Sequence, residues 1–305
     1  MGPGVPGGGV NRLGRVRASA YPKLTLSLRV LGLRPDGYHE IEALTVSLGQ
    51  PSDVVEVTAV PHPGGVSFTV EGETEHAPSG LTNLAARAAE DVMLRAGRSG
   101  HGVQMVLRKR IPAGAGLGGG SADAAATLVA IRKLLDLDLT DDDLHEVAAG
   151  LGSDVPFCLR GGAAWMRGRG ELIEPVPLRP GLGFLVALPP FRLATPVVYR
   201  AWDELGGPRA TREVEARGTV ARYVEALAND LEPAAEAVEP ALVEFRSSLE
   251  RAAGRPAILA GSGSAYVVPL ERGVDPGALA ESVGARLRVP VAGARSNAVG
   301  VRLGS

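Results

Sequence analysis

Along 17–30, apolar Leu24, Leu26, Leu28 and Val30 alternate with Lys23, Thr25, Ser27 and Arg29, and this period of two predicts a half-buried strand. Asp36-Gly37 marks a turn, and 40–48 reads as the returning strand. Further strands are expected at 54–60 and 66–70, joined through the turn-rich stretch 61–65. The Ala-, Leu- and Arg-rich stretch 84–96 reads as a helix closed by Gly97, a residue suited to the left-handed position that ends helices. A strand at 103–108 runs directly into a glycine loop at 112–120, and a long alanine-rich helix follows at 121–135. Thr140 and Asp143 have the spacing of a capping box, opening a helix that ends near Gly150. Beyond Gly161-Gly162 the pattern shifts to shorter strands, among them 163–167 and 184–188, with helices from Thr195-Pro196 and near 214–228 and 240–253. Thr195 is placed as a helix N-cap, with Pro196 in the first turn. A second glycine turn, Ala260-Gly-Ser-Gly-Ser264, lies between apolar stretches. Consecutive strands with segregated helices predict an α+β chain rather than a regular doubly wound sheet.

At 305 residues the chain exceeds the usual size of one domain. Two domains sharing a cleft are expected, 17–162 and 163–305, after a Gly- and Pro-rich disordered lead-in over 1–16. The lead-in carries arginines without an apolar run, which suits neither a signal peptide nor an anchor. With 45% apolar and 22% charged residues the chain can bury a large core. A net charge of -2 argues against a general nucleic-acid surface, and no stretch offers the roughly 18 uninterrupted apolar residues of a membrane span. Cys158 is the single cysteine, so an internal disulfide is excluded and a cytoplasmic protein is expected. The five histidines show no zinc-ligand spacing with it, and no structural metal is expected.

The loop at 112–120 carries the strongest chemical signal. Glycines permit positive φ and close backbone approach, and free amides at a helix start attract phosphate. Ser121 adds a hydroxyl able to meet a phosphate or its magnesium. A Walker loop would need Gly-Lys-Ser/Thr, and no lysine follows Gly120. Gly114, Gly116 and Gly119 do have the dinucleotide-fingerprint spacing, with Asp138 about twenty residues on. That reading requires a strand before Asp138, where 134–139 offers little of one.

The run Lys109-Arg-Ile-Pro-Ala-Gly-Ala-Gly-Leu-Gly-Gly-Gly-Ser-Ala-Asp-Ala124 resembles the ATP loop of the GHMP kinases. Lys23-Leu-Thr-Leu26, Arg34-Pro-Asp-Gly-Tyr-His-Glu40, Gly152-Ser-Asp-Val-Pro-Phe-Cys158 with Gly161-Gly162, Asn229-Asp-Leu-Glu232 and Gly261-Ser-Gly263 extend the resemblance over about 17–303. Their joint order is similar to the branch of that family that phosphorylates the 2-hydroxyl of a cytidine diphosphate-linked methylerythritol in non-mevalonate isoprenoid precursor synthesis. Another GHMP kinase acting on mevalonate, homoserine or a sugar, or a non-catalytic ligand-binding relative, is the alternative.

The resemblance implies a two-domain fold with the active site in the interdomain cleft, using ATP and magnesium. It places the phosphates on Pro112, Ala113, Gly114, Ala115, Gly116, Leu117, Gly118, Gly119, Gly120, Ser121 and Ala122, with Ser121 the candidate contact to the metal and Asn83 on the adenine side. It implies Asp154 as the group receiving the substrate proton, Lys23 beside it, and Tyr38, His39, Thr195 and Tyr199 around the substrate. Asn83 also reads as a plain helix cap, and Lys23 by alternation alone as a solvated lysine. Most relatives carry Ala at Pro22 and Asn at Thr25, so one hydroxyl stands where the family has an amide. The implied partner is a small molecule, with no nucleic acid or membrane, and the chain is expected to be a monomer or weak homodimer.

Overall fold

Pro22 divides what the alternation predicts as one strand. In the computed structural model, which describes residues 14–60, 64–72, 78, 80–98, 101–178, 181–207 and 227–304, β1 (Arg15–Ala20) and β2 (Lys23–Leu33) lie in different sheets. Proline has no N–H to give a ladder and is confined to strand ends. Tyr21 N–H instead bonds Gly300 O at 3.0 Å, and Pro22 O accepts from Leu48 N at 2.9 Å. β1 already includes Arg15 and Val16, which pair with Thr58 and Val57, so ordered structure begins inside the expected lead-in; residues 1–13 of that lead-in lie outside the described residues.

One sheet combines β1 with β4 (Asp53–Val60), β5 (Val66–Gly72), β6 (Gly102–Lys109) and β13 (Val301–Leu303), in the order β13-β1-β4-β6-β5. All neighbours are antiparallel except β5 and β6. The second sheet centres on β3 (His39–Leu48), which pairs with β2. It continues through β7 (Ala163–Gly168) and β8 (Leu172–Pro175) one way. The other way it runs through β12 (Val291–Asn297), β9 (Gly183–Ala187), β11 (Tyr266–Leu270) and β10 (Ile258–Leu259). Strand pairing thus runs across residue 162, and β13 returns from the C-terminus to β1.

The expected half-buried strand is buried on both faces. Lys23, Thr25 and Ser27 are nearly as inaccessible as Leu24 and Leu26; the glycine loop at Gly118 lies against Lys23, and the second glycine turn at Gly261 lies near Lys23 and Thr25. A bulge between Thr25 and Ser27 shifts the register beside this site.

In the first half, α1 (Leu84–Arg95), α2 (Gly119–Leu134), α3 (Asp141–Leu151) and α4 (Val155–Arg160) pack together. α2 is apolar almost all round: Ala122, Ala124, Ala125, Ala126, Leu128 and Ala130 are fully buried, so the helix threads between α1 and the first sheet. The capping box forms as expected, with Thr140 Oγ1 accepting from Asp143 N at 3.1 Å and Asp143 Oδ2 from Thr140 N at 2.9 Å. Asp138 lies in a connection, and the residues between α2 and Asp138 form no strand.

The second half supplies α5 (Thr195–Glu204), α6 (Glu232–Val238), α7 (Ala241–Ala253) and α8 (Pro276–Leu287). Thr195 is the first helical residue rather than the cap, which is Ala194; its hydroxyl is engaged elsewhere, 2.8 Å from Ser262 Oγ. The helix expected at 214–228 falls outside the described residues except for 227–228, which are not helical. Among the described residues no helix is long and apolar enough to cross a membrane.

Candidate active site

Two glycine turns pack against each other and form the floor of a cavity of ≈ 880 Å³. Gly116 has φ +77, and a Cβ there would lie 2.4 Å from Ala260 O, so only glycine admits the second turn. Gly118, at φ +65, is the residue before α2; a Cβ would sit 2.7 Å from Lys23 Cγ. α2 begins at Gly119, two residues earlier than expected, which puts the free amides of its first turn at the cavity. Ser121 sits in that same turn, not at the cap. The arrangement is a cradle of free amides, which suits an anion.

Asn229 holds the second turn in place. Its Nδ2 donates to Leu259 O at 2.8 Å and Gly261 O at 2.7 Å, and its Oδ1 accepts from Leu231 N. Asp230 Oδ2 accepts from Val30 N at 2.9 Å, and Glu232 Oε2 from Leu259 N at 2.8 Å. The Asn229–Glu232 motif therefore ties β2 to the turn that meets the cradle.

Lys23 and Asp154, 131 residues apart in sequence (154 − 23), meet in this cavity with Lys23 Nζ 3.4 Å from Asp154 Oδ2. Lys23 is 8% exposed, so the solvated-lysine reading does not hold. Its Nζ also donates to Thr25 Oγ1 at 3.2 Å, which gives Thr25 a direct place in the cluster. Asp154 precedes α4 but its side chain makes no capping bond, leaving the carboxylate to face Lys23. Beneath it, burial together with the Asp154 charge pushes the Cys158 thiol far up, so this cysteine is an inert core residue.

A second charged cluster, which sequence reasoning missed, underlies the cradle. Lys109 Nζ donates to Asp53 Oδ2 and, at 2.7 Å, to Asp123 Oδ2, all three side chains being buried. Asp53 Oδ1 accepts from the amides of Arg110 and Ile111, fixing the entry to the glycine loop. Burial raises the Asp123 carboxyl well above the ordinary carboxylate range; Lys109 opposes this and Asp53 adds to it. Burial alone would lower Lys109, but the Asp123 and Asp53 charges outweigh it and leave the ammonium raised. The signal was present in the sequence: a lone aspartate inside an alanine-rich helix needs a polar or charged partner once buried.

At the other end of the cavity stand Tyr38 and His39. Tyr38 is 52% exposed, on the turn closed by Arg34 N to Tyr38 O at 2.7 Å, and the Arg169 guanidinium lies 5.2 Å from its ring centre. The His39 ring packs on Tyr199, centroids 4.7 Å apart and tilted 30°, so Tyr199 approaches the histidine directly. Burial, with Asp154 next, pushes the Tyr199 hydroxyl up. Thr195 lines the same cavity through its contact with Ser262. Asn83 is the cap of α1: Oδ1 accepts from Ala85 N at 2.9 Å, Nδ2 donates to Pro78 O, and the residue borders the cavity. Every sequence-predicted site residue except Ala122 lines this one cavity, joined by Arg169 and Asp203, which lie outside the quoted motifs, and by Asp123, which lies within one but was given no role.

Residues 83–162 match the family model described as the GHMP kinases N terminal domain. The chain is 42% identical over 253 residues to the 4-diphosphocytidyl-2-C-methyl-D-erythritol kinase of Pelotomaculum thermopropionicum, covering 81% of this chain and 86% of that one. It is 39% identical over 257 residues to the enzyme of the same name from Desulfitobacterium hafniense, covering 82% and 86%. A crystal structure of 4-(cytidine 5'-diphospho)-2C-methyl-D-erythritol kinase superposes with a TM-score of 0.73 at 34% identity, over 92% of this chain and 99% of that one. Homoserine kinase from Cytophaga hutchinsonii, at 16% identity and TM-score 0.68, covers 98% and 100% and shares the fold.

Proposed function

The chain belongs to the 4-diphosphocytidyl-2-C-methyl-D-erythritol kinase family, and from that membership we propose that it transfers the γ-phosphoryl group of ATP to the 2-hydroxyl of 4-diphosphocytidyl-2-C-methyl-D-erythritol. The observation that carries the site assignment is the Lys23–Asp154 pair, 3.4 Å apart, in the cavity that holds the amide cradle of α2.

Phosphoryl transfer asks the protein for alignment and charge neutralisation more than for covalent chemistry. The cradle amides and the α2 dipole receive the nucleotide phosphates. Asp154 accepts the proton of the 2-hydroxyl as its oxygen attacks the γ-phosphorus; the bond to the β-phosphate oxygen breaks and ADP leaves. Lys23 favours the ionised form of Asp154 and offsets negative charge growing on the transferred group. Thr25 accepts a hydrogen bond from the Lys23 ammonium and helps hold it in place. Tyr38 offers a ring face for a pyrimidine, and His39 a polar edge.

The donor set fits magnesium carried in on the nucleotide. Among the described residues no group of three His, Cys, Asp or Glu could cage a metal, and magnesium bound through phosphates needs only one or two protein oxygens. Ser121 in the first turn of α2 and Asp123, whose Oδ1 has no partner, line the cavity and would hold the ion. Bound there, the ion would supply charge neutralisation between the phosphates. A cytoplasmic site of action is part of this reading, supported by the ATP requirement.

The test is ADP release by the purified protein with ATP and magnesium, comparing the cytidine substrate with mevalonate, homoserine and galactose. Turnover confined to the cytidine substrate is expected; turnover with another acceptor instead would reassign the chain's substrate within the wider kinase fold.

A further inference from the structure

We propose that Asn229 sets the position of the Lys23 ammonium against Asp154, acting through Gly261; the inference rests on the reading above that Lys23 and Asp154 carry phosphoryl transfer. Those two residues come from the first half of the chain, whereas Asn229 and Gly261 come from the second. Asn229 is fastened to the strand that bears Lys23. Leu28 N donates to Ala228 O at 2.9 Å and Asp230 N to Leu28 O at 2.9 Å, so Asn229 lies beside β2 as a single parallel bridge. From there its buried side chain reaches the second glycine turn, where Nδ2 donates to Gly261 O at 2.7 Å and to Leu259 O at 2.8 Å.

Gly261 is the surface against which the ammonium rests. It has φ +61, and a Cβ there would lie 3.4 Å from Lys23 Nζ and 3.8 Å from Thr25 Oγ1. Gly118 meets the stem of the same side chain, its Cβ position lying 2.7 Å from Lys23 Cγ. Stem and head are therefore confined by two glycines, and the head meets Thr25 Oγ1 at 3.2 Å and Asp154 Oδ2 at 3.4 Å. The glycine at the head owes its place to the Asn229 amide.

The amide does a second thing. A buried carbonyl left without a donor takes one from a neighbour, and an ammonium offers three N–H groups. By occupying Gly261 O, Asn229 keeps this carbonyl from competing with Asp154 for Lys23. Asn229 touches no reacting atom in this scheme; it is a positioning residue that acts through Gly261 on Lys23.

The test is a double-mutant cycle on the full chain, read as the single-turnover rate of phosphoryl transfer from ATP to the cytidine substrate with both saturating. Asn229→Ala should lower that rate about 10- to 100-fold, the scale of a reacting group displaced by about 1 Å. In a Lys23→Met background there is no ammonium to displace, and the same substitution should cost less than about 3-fold. Gly261→Ala keeps the Asn229 amide, presses a methyl towards Lys23 Nζ and should show the same dependence on Lys23; it carries the cycle if melting curves show that Asn229→Ala does not fold. Crystal structures of the folded variants give the answer without a rate, with Lys23 Nζ expected beyond about 4 Å from Asp154 Oδ2. A merely structural role would lower the rate equally with and without Lys23. Equal losses, an Asn229→Ala rate within about 3-fold of wild type, or an unmoved Lys23 overturn the proposal alone. Lys23→Met protein that works at the wild-type rate overturns the reading of Lys23 and the proposal with it.

Discussion

Replacing Lys109 with methionine removes one ammonium from between two carboxylates that solvent does not reach. Asp53 would keep the amides of Arg110 and Ile111, but Asp123 would lose the partner of Oδ2 while Oδ1 already has none. Stripping one member from a buried ionic cluster costs about 3–5 kcal/mol. An unfolding entropy of about 2.1 cal/mol/K per residue gives roughly 0.64 kcal/mol/K for 305 residues. The melting temperature should then fall by about 5–8 °C, read by calorimetry or near-ultraviolet circular dichroism. The pH dependence has a definite sign. Burial raises the Asp123 carboxyl, and a raised carboxyl costs the folded state nothing below the ordinary carboxylate range and progressively more as pH rises through its shifted value. Lys109 relieves that cost only while Asp123 is ionised, so the variant's deficit should narrow towards acid. Because Asp53 fixes the loop entry, the KM for ATP should rise as well, and adding Asp123→Asn should recover part of the stability. A variant melting within about 1 °C of wild type, or a deficit independent of pH, would refute the reasoning.

Gly118→Ala forces a left-handed alanine, at about 1–2 kcal/mol, and puts a methyl 2.7 Å from Lys23 Cγ. Turnover should drop by about 10- to 100-fold as Lys23 moves off Asp154, with melting lowered by only about 2–3 °C; a large melting loss with normal kcat would speak against it. Arg95 first, then Thr140, lowers the Asp143 carboxyl to about 2. Its contribution is therefore present above the ordinary carboxylate value and lost as pH falls towards 2. Melting curves of wild type and Asp143→Ala should differ at pH 5 and converge near pH 2; a gap that persists in acid would contradict the assignment.

The local features were legible in the chain because neighbouring residues determine them. The glycine loop, the Thr140 capping box and the helix from Thr195 each follow from turn chemistry or side-chain bonds spanning a few residues. Pro22 was visible as well, yet the alternation around it masked its effect, since a period of two continues through a break that sends β1 and β2 to different sheets. Lys23 looked solvated because alternation reports one covered face, while the second cover comes from a loop some 95 residues on. The Lys109 cluster spans separations of 56 and 14 residues, and the His39–Asp203 pair 164. Contacts at such range depend on which strands pair, and hydrophobic pattern alone does not specify that. The family resemblance supplied Lys23 with Asp154, where spacing could not.

Asp154 as the group that takes the substrate proton is tested most directly by the rate of phosphoryl transfer in Asp154→Asn and Asp154→Ala. With dissociation constants for nucleotide and cytidine substrate measured on the same protein, both variants are expected to bind within a few-fold of wild type and to turn over about 10²- to 10⁴-fold more slowly. Turnover within about 5-fold of wild type would contradict the assignment and leave Lys23 and the α2 cradle to carry the reaction without a base.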